Sequence, residues 1–401
     1  MFETAKYEVF LYLNGTVIGD VRHLCQNLKW SKKRTRVGVD SIDFTINDYL
    51  LAQWCEARGT TIKDILKPIA LECRVVRNGV PVVGGFLATV PSYSPMQTSA
   101  NLAMRFDGYL NLLDGVNIPP TAMQTMKMGA LAVKYITEAD QKAESYGKAF
   151  GFTQGTVSDM EVVEQTFSNY TTVKQFLVNR CDNVTGAGPF DVYFHPDKTY
   201  DVLKDSEFGD TITEYKIYYP GRLNVTSAFK IQAQEVSGFA SAVLGIGTGS
   251  VSDDSSQDNA ITSFQVNSDA VKEFGYAETV LQESSVSVQD TLDKNTAAKL
   301  ETTASGVWQP QVELVGSQIQ PTPNGTNKIW VGDTVTVENS ADLTGNTSGD
   351  FRVNAIEVSV SETNYEKVKP TLARGNISGN KTFAQEIKDI QNELLALKTV
   401  V

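Results

Sequence analysis

The sequence predicts a β-rich α+β fold: an N-terminal barrel or sandwich, an α/β block after it, a return to β structure, and a helix at the C-terminus. Three observations carry this. Alternating apolar and polar stretches recur through residues 1–115, two of them turning at Asn14-Gly15 and Asn78-Gly79, the dipeptide best suited to a two-residue hairpin. Composition shifts after Ile118-Pro119-Pro120 toward Met, Ala and Lys, and the β pattern resumes from Glu207. The chain has 401 residues, 41% of them hydrophobic and 20% charged. That is about two to three domain lengths, with enough apolar material for packed cores.

The elements follow in order. Lys6–Leu13 reads as a strand, with Tyr7, Phe10 and Tyr12 set against Glu8 and Leu11, and Thr16–Val21 returns from the turn. Ser41–Ile46 places Ile42, Phe44 and Ile46 on one face. Asp48–Ala57 and Thr61–Leu66 read as short helices, the second stopped by Pro68. Glu72–Val76, Val80–Val90 and Ala100–Leu110 complete a strand set that suits a small barrel or sandwich. Thr121–Ala149 then reads helical. Thr171 and Thr172 can cap a helix to Cys181 that buries Val173, Phe176 and Leu177. Gly188–Leu203 is a hairpin about His195-Pro196-Asp197.

Beyond Glu207, Thr211–Tyr219 and Leu223–Val236 flank a Pro220-Gly221 turn. Gly245–Asp258, rich in Gly, Ser and Asp, is expected to be a mobile surface loop. Val286–Thr302 reads as a helix burying Leu292 and Leu300. Trp308–Val315, Lys328–Glu338, Asp350–Val360 and Tyr365–Leu372 read as strands, with Gly332-Asp333 in a turn. At the C-terminus, Gly375–Gly379 is a joint, and Thr382 with Gln385 fits a capping box. Phe383, Ile387, Ile390, Leu394, Leu397 and Val401 then recur at alternating spacings of four and three, a heptad seam. So short a helix is marginal alone, so its stripe needs a cover. Two covers are open: its own domain, or self-association, which the Gly-rich joint favours.

Charge and chemistry exclude several classes. Thirty-five Lys+Arg against 47 Asp+Glu give a net charge of −12, whereas a protein that holds DNA needs a basic face. Stable DNA binding is therefore not expected. The first residues, Met1–Leu13, have no basic region or sustained apolar run, and no stretch reaches the roughly 20 apolar residues of a membrane span. A soluble, unexported chain is expected. Cys25, Cys55, Cys73 and Cys181 are too scattered for a disulfide framework and read as small buried hydrophobes. His23 and His195 are the only histidines, too few for a multi-histidine zinc site. The GxGxG at Gly245 lacks the strand, helix and Lys-Ser/Thr of a phosphate loop. Asp253, Asp254 and Asp258 are spaced too irregularly for a calcium loop. No nucleophile–base set stands out, and no carboxylate pair is singled out. The expectation is a non-enzyme without cofactor or metal.

The order of the pieces resembles the bacteriophage tail-tip or baseplate hub proteins. The residues that carry it are Tyr7–Tyr12, Leu28-Lys29-Trp30, Ser41–Ile46 and the hairpin Cys73–Gly85, with its Gly79-Val80-Pro81-Val82 and closing glycines. Ser268–Gly275, Val286–Leu292, Val331–Val337 and Phe351–Val360 match later segments. The resemblance implies two tail-tube-like barrels in one chain, 1–115 and 206–240 with 308–372. An inserted α/β region, 116–205 with 241–307, lies between them, and 373–401 forms the joint and coiled-coil helix. It implies a structural virion protein at the distal end of the tail, present in the host cytoplasm before assembly. There a homotrimer would adapt a sixfold tail tube to the tip and form or close the DNA exit channel. Implied partners are the distal tail protein or tail tube ring, the tape measure protein, and tip, fibre or spike proteins. Many relatives continue into a peptidoglycan-cleaving or receptor-binding region, so such activities are expected on another polypeptide. The alternative is a host-binding tail adhesin or carbohydrate-binding module. Aromatics clustered on the surface would favour that alternative, and aromatics in the barrel cores would favour the hub.

Overall fold

In the computed structural model, the described residues are 5–91, 101–167, 169–182, 189–219, 230–233, 239–248, 260–283, 286, 288–304, 308–315, 329–339 and 348–373. The first β unit comprises β1 (Tyr7–Leu13), β2 (Thr16–Asp20), β3 (Cys25–Lys33), β4 (Ser41–Asn47), β5 (Leu71–Arg77), β6 (Val80–Leu87) and β7 (Asn101–Gly108). They hydrogen-bond in the order β2-β1-β5-β6-β7-β4-β3. Helices α1 (Asp48–Glu56) and α2 (Ile62–Ile65) cross from β4 to β5, capped by the side chains of Asn47 and Thr61. Asn14 and Gly15 have φ of 51° and 81°, and Asn78 and Gly79 have 51° and 80°. Two successive positive φ values are what the tightest hairpin turn requires, which is why Asn-Gly marks both turns. In β1 the buried face is Tyr7, Val9 and Leu11, not Tyr7 with Phe10 and Tyr12. A strand's period of two cannot put residues 7 and 10 on the same side.

The middle block contains β8 (Asn117–Ile118), β9 (Thr121–Lys127), α3 (Met128–Ser145), β10 (Thr153–Val157), β11 (Val162–Phe167), β12 (Thr171–Thr172), α4 (Val173–Asp182), β13 (Phe190–Phe194) and β14 (Thr199–Lys204). Thr121–Lys127 is therefore strand, not the start of the helix. It pairs antiparallel with β11, Met126 opposite Val163, and that tertiary pairing overrides a weak helical propensity. From Met128 the helix turns Leu131, Ala132, Tyr135, Ile136 and Ala139 inward. The hydroxyl of Thr172 accepts from the Gln175 amide at 3.1 Å, and α4 buries Val173, Phe176, Leu177 and Cys181. With Phe190, Val192 and Phe194 these residues share one core, separate from that of the first β unit.

The remainder holds β15 (Thr211–Tyr219), β16 (Lys230–Ala233), β17 (Ala242–Ile246), β18 (Thr262–Val266), α5 (Ser268–Phe274), β19 (Glu278–Gln282), α6 (Gln289–Ala304), β20 (Trp308–Gln311), β21 (Leu314–Val315), β22 (Thr334–Asn339), β23 (Gly349–Val360) and β24 (Glu366–Ala373). Gly245 and Ile246 lie in β17 rather than in a loop. They are held between β18 and β19, with α6 against one face. Residues 249–258 of the expected loop lie outside the described residues, as does the stripe Phe383–Val401. β15, β16 and β20 to β24 form a second β unit. Its longest strand, β23, pairs antiparallel with β3, Val358 opposite Trp30 and Val360 opposite Leu28. The two β units thus form one sheet of 14 described strands over one shared core. The fold is a β-rich α+β fold.

Candidate functional site at the joints between the units

Three polar joints fix the units to one another. The first lies beside the β3–β23 ladder. Glu366, at the start of β24, takes Arg77 of β5 with both oxygens, Nε at 2.6 Å and a terminal nitrogen at 2.9 Å. It also accepts from the Tyr7 hydroxyl, to which Trp30 Nε1 donates at 3.4 Å. Burial pushes the Tyr7 phenol above its ordinary value, and the Glu366 carboxylate adds to the shift. Beside it Trp30 packs on Trp330 of the second unit, ring centroids 6.2 Å apart. Arg22 adds a bond to Asn364 at 2.8 Å in the turn after β23.

The second joint grows from the end of β3. Leu28, Trp30, Lys32, Arg34 and Arg36 are all buried, as are Ser31 and Thr35, so the buried stretch of β3 continues past its apolar residues into three basic ones. Arg34 is enclosed by all three parts of the chain. Its Nε donates to Asp191 of β13 at 2.9 Å, one terminal nitrogen reaches both Asp191 and Asp205, and the other meets Asn354 of β23 at 3.3 Å. Arg36 reaches the same two carboxylates. Arg352 of β23 donates to the carbonyls of Asp205, at 2.6 Å, and Phe208. Burial lowers the Arg34 guanidinium to about 10, with Asp191 opposing that and Arg36 and Arg352 reinforcing it. Lys32 donates to Asp40 at 2.6 Å and to the Phe194 carbonyl at 2.5 Å, its ammonium 4.1 Å over the Tyr193 ring. Burial opposes that charge, but Asp40 and Tyr193 outweigh it and raise its pKa.

In the third joint, the β13–β14 turn meets β5 and β6. Lys198 binds Glu72 at 2.6 Å and the Phe150 carbonyl at 2.8 Å. Gly84 lies against Pro196 so closely that a Cβ there would sit 2.8 Å from the Pro196 carbonyl oxygen. This gives the two glycines closing the Cys73–Gly85 hairpin distinct physical roles: Gly84 admits a turn from another unit, and Gly85 lets the Asp107 backbone of β7 come close. His195, in that turn, bonds through Nε2 to Asp201 at 2.6 Å, and Asp201 accepts from the Thr156 amide at 2.6 Å. Asp201, held by His195, ties the hairpin to β10.

These joints hold a two-unit β platform and its inserted block as one body. The same architecture is found in solved structures. A tail protein from Neisseria meningitidis MC58 superposes with a TM-score of 0.61 over 92% of this chain and 97% of its own, at 14% identity. The fold is that of phage tail proteins. The 43 kDa tail protein of prophage MuSo2 from Shewanella oneidensis matches with a TM-score of 0.61 over 92% of this chain and 98% of its own, at 12% identity. The prophage tail protein gp18 of Listeria monocytogenes EGD-e matches with 0.57 over 97% and 99%, also at 12% identity. No protein-family model matches the sequence, and no curated protein is similar to it in sequence.

Within this tail-protein fold, the structure places the singled-out residues unevenly. The seam residues Phe383, Ile387, Ile390, Leu394, Leu397 and Val401 lie outside the described residues. The four cysteines are buried free thiols, and burial pushes the Cys25 thiol up to about 12. Among the described residues no three His, Cys, Asp or Glu side chains gather as a metal site needs. No described helix is long and apolar enough to cross a membrane. Sequence reasoning missed Lys32, Arg34, Arg36, Asp191 and Asp205. No local signal marks them, because Arg34 and Arg36 lie past the end of β3 and their partners come from other units.

Proposed function

We propose that the protein is a structural component of a bacteriophage tail, a homotrimeric hub at its distal end that adapts a sixfold tail tube to the tip. The observation that carries this reading is the fusion of two β units into one sheet through β3 and β23, braced by buried ion pairs. A protomer with two rigidly coupled β units lets three copies offer six units to a sixfold ring. The match to tail proteins over nearly the whole chain supports the same reading. Three copies carry −36 (3 × −12), and a channel wall bearing part of that charge would repel the DNA backbone as it passes. Partners on this reading are the tail tube ring or distal tail protein, the tape measure protein, and tip, fibre or spike proteins. The protein acts in the virion and catalyses nothing. The aromatic residues favour the hub over an adhesin. Trp30, Trp54 and Trp330 are buried, while exposed Tyr49, Tyr146, Tyr170 and Tyr365 lie on well-separated segments, and among the described residues only Phe264 and Tyr276 share one small unit. Native mass measurement tests the reading: a trimer is expected, and a monomer at micromolar concentration would overturn it.

A further inference from the structure

β2 ends the described 14-stranded sheet. It begins with three β-branched residues in a row, Thr16, Val17 and Ile18, a composition that suits pairing with a further strand. Two side chains from α1 and the residues just past it occupy its backbone instead. Trp54 Nε1 donates to the Asp20 carbonyl at 3.2 Å, and Arg58 Nε donates to the Ile18 carbonyl at 3.3 Å. Both carbonyls turn away from β1. The Val21 amide bonds the Val9 carbonyl at 2.8 Å, so the alternation of an antiparallel pair turns Asp20 outward. Register slips by one residue at Leu11, which faces Gly19, and the extra residue, Ile18, is left as a bulge. Arg58 is itself held: its guanidinium lies 4.0 Å from the Trp54 ring centroid, and a terminal nitrogen donates to the Trp54 carbonyl at 3.1 Å. Gly19 makes room for both. Its φ of 151° favours glycine, and a Cβ there would stand 3.0 Å from Arg58 Nε and 3.2 Å from the Trp54 ring.

We propose that Arg58 and Trp54 form an edge guard, which keeps β2 from pairing with the β2 of a second copy of this chain. A second copy fits because β2 is self-complementary. Laid antiparallel about Ile18, two such strands set Thr16 opposite Asp20 and Val17 opposite Gly19. Asp20, the one charged residue of the strand, then meets a threonine and not its own copy. That pairing is twofold and joins chains in pairs. A threefold ring has no place for it, so the guard keeps copies available for the ring. This last consequence alone rests on the trimer reading.

The test uses the full chain in two forms. Arg58→Met removes one donor and keeps the apolar stem. Gly19→Ala leaves both donors in the sequence and pushes the guanidinium off the strand. Native mass is measured at micromolar protein, with amide exchange read in parallel. Both variants are expected to show a species of twice the parent's mass, with exchange at 16–20 at least tenfold slower in that species than in the undoubled form. Arg58→Met takes a positive charge from an acidic chain, so weakened repulsion does not explain a doubling. The parent's mass in both variants, with β1 and β5 still protected, overturns the proposal. So does a doubling that protects residues other than 16–20, or a parent that already doubles through them. A monomeric parent whose variants double through 16–20 would sink the trimer and leave the guard standing.

Discussion

At the residue scale the guanidinium of Arg34 is the most constrained group described, fully buried and dependent on Asp191 and Asp205. Removing one member of a buried pair leaves an uncompensated charge, which typically costs about 3–5 kcal/mol. Asp191→Ala should lower stability by that amount in chemical denaturation, and Arg34→Met added to it should recover a large part. A cost below about 1 kcal/mol for the single change would mean that water reaches the joint. Asp333 offers a pH readout. Its carboxylate accepts from the amides of Asp210, at 2.9 Å, and Trp330, at 2.7 Å. Burial nevertheless pushes it up to about 6, those amide bonds opposing, Asp210 reinforcing and Arg352 opposing. The folded state therefore holds this proton more tightly than the unfolded one. The contribution is full below the ordinary carboxylate value and is lost as pH rises through about 6, about 3 kcal/mol in all. Asp333→Asn should remove that pH dependence between pH 4 and 7, and an unaltered slope would assign it to other groups. Ile69 has φ of 67° and is 54% exposed. A β-branched residue is strained there and contributes little packing, so Ile69→Gly should raise stability by about 1 kcal/mol. A fall in melting temperature would contradict this.

At the scale of elements, Gly84 tests whether the β13–β14 hairpin is seated on β6. An alanine Cβ would also lie 3.0 Å from Tyr109, so hairpin or strand must move. Gly84→Ala is expected to cost roughly 1–3 kcal/mol and to speed exchange of the His195 and Lys198 amides, whose partners are Thr199 and His195. Unchanged exchange there would mean that β6 yields alone. What was legible in the sequence follows from how local its cause was. Asn-Gly turns, the Ile42-Phe44-Ile46 alternation, the Thr172 cap and the Leu292 helix are each set by a few neighbouring residues, and each was readable. β9 was misread because Thr121–Lys127 becomes strand only through Val162–Phe167, some forty residues away. β17 was hidden because Gly245 counts against strand locally, while its lack of a side chain is what admits Thr296 of α6. The joints were invisible for the same reason. Nothing local to Lys32, Arg34 and Arg36 names Asp191, Asp205 and Asn354, which other units bring to them.

At the scale of the whole molecule, charge and cooperativity give the expectations. With −12 on the chain, duplex DNA should show no binding at about physiological salt, where non-specific binders have Kd of roughly 10⁻⁴–10⁻⁶ M. A gel shift with micromolar protein would reveal a basic face that the total conceals. The sheet shared through β3 and β23 has a mechanical consequence. A pull along those strands loads the rungs from Ala355–Lys33 to Val360–Leu28 in shear, all at once. A pull across them opens the rungs one after another, as a zipper opens. The protomer is therefore stiff along one axis and peelable across the other, so a load carried along β3 and β23 meets the strong direction.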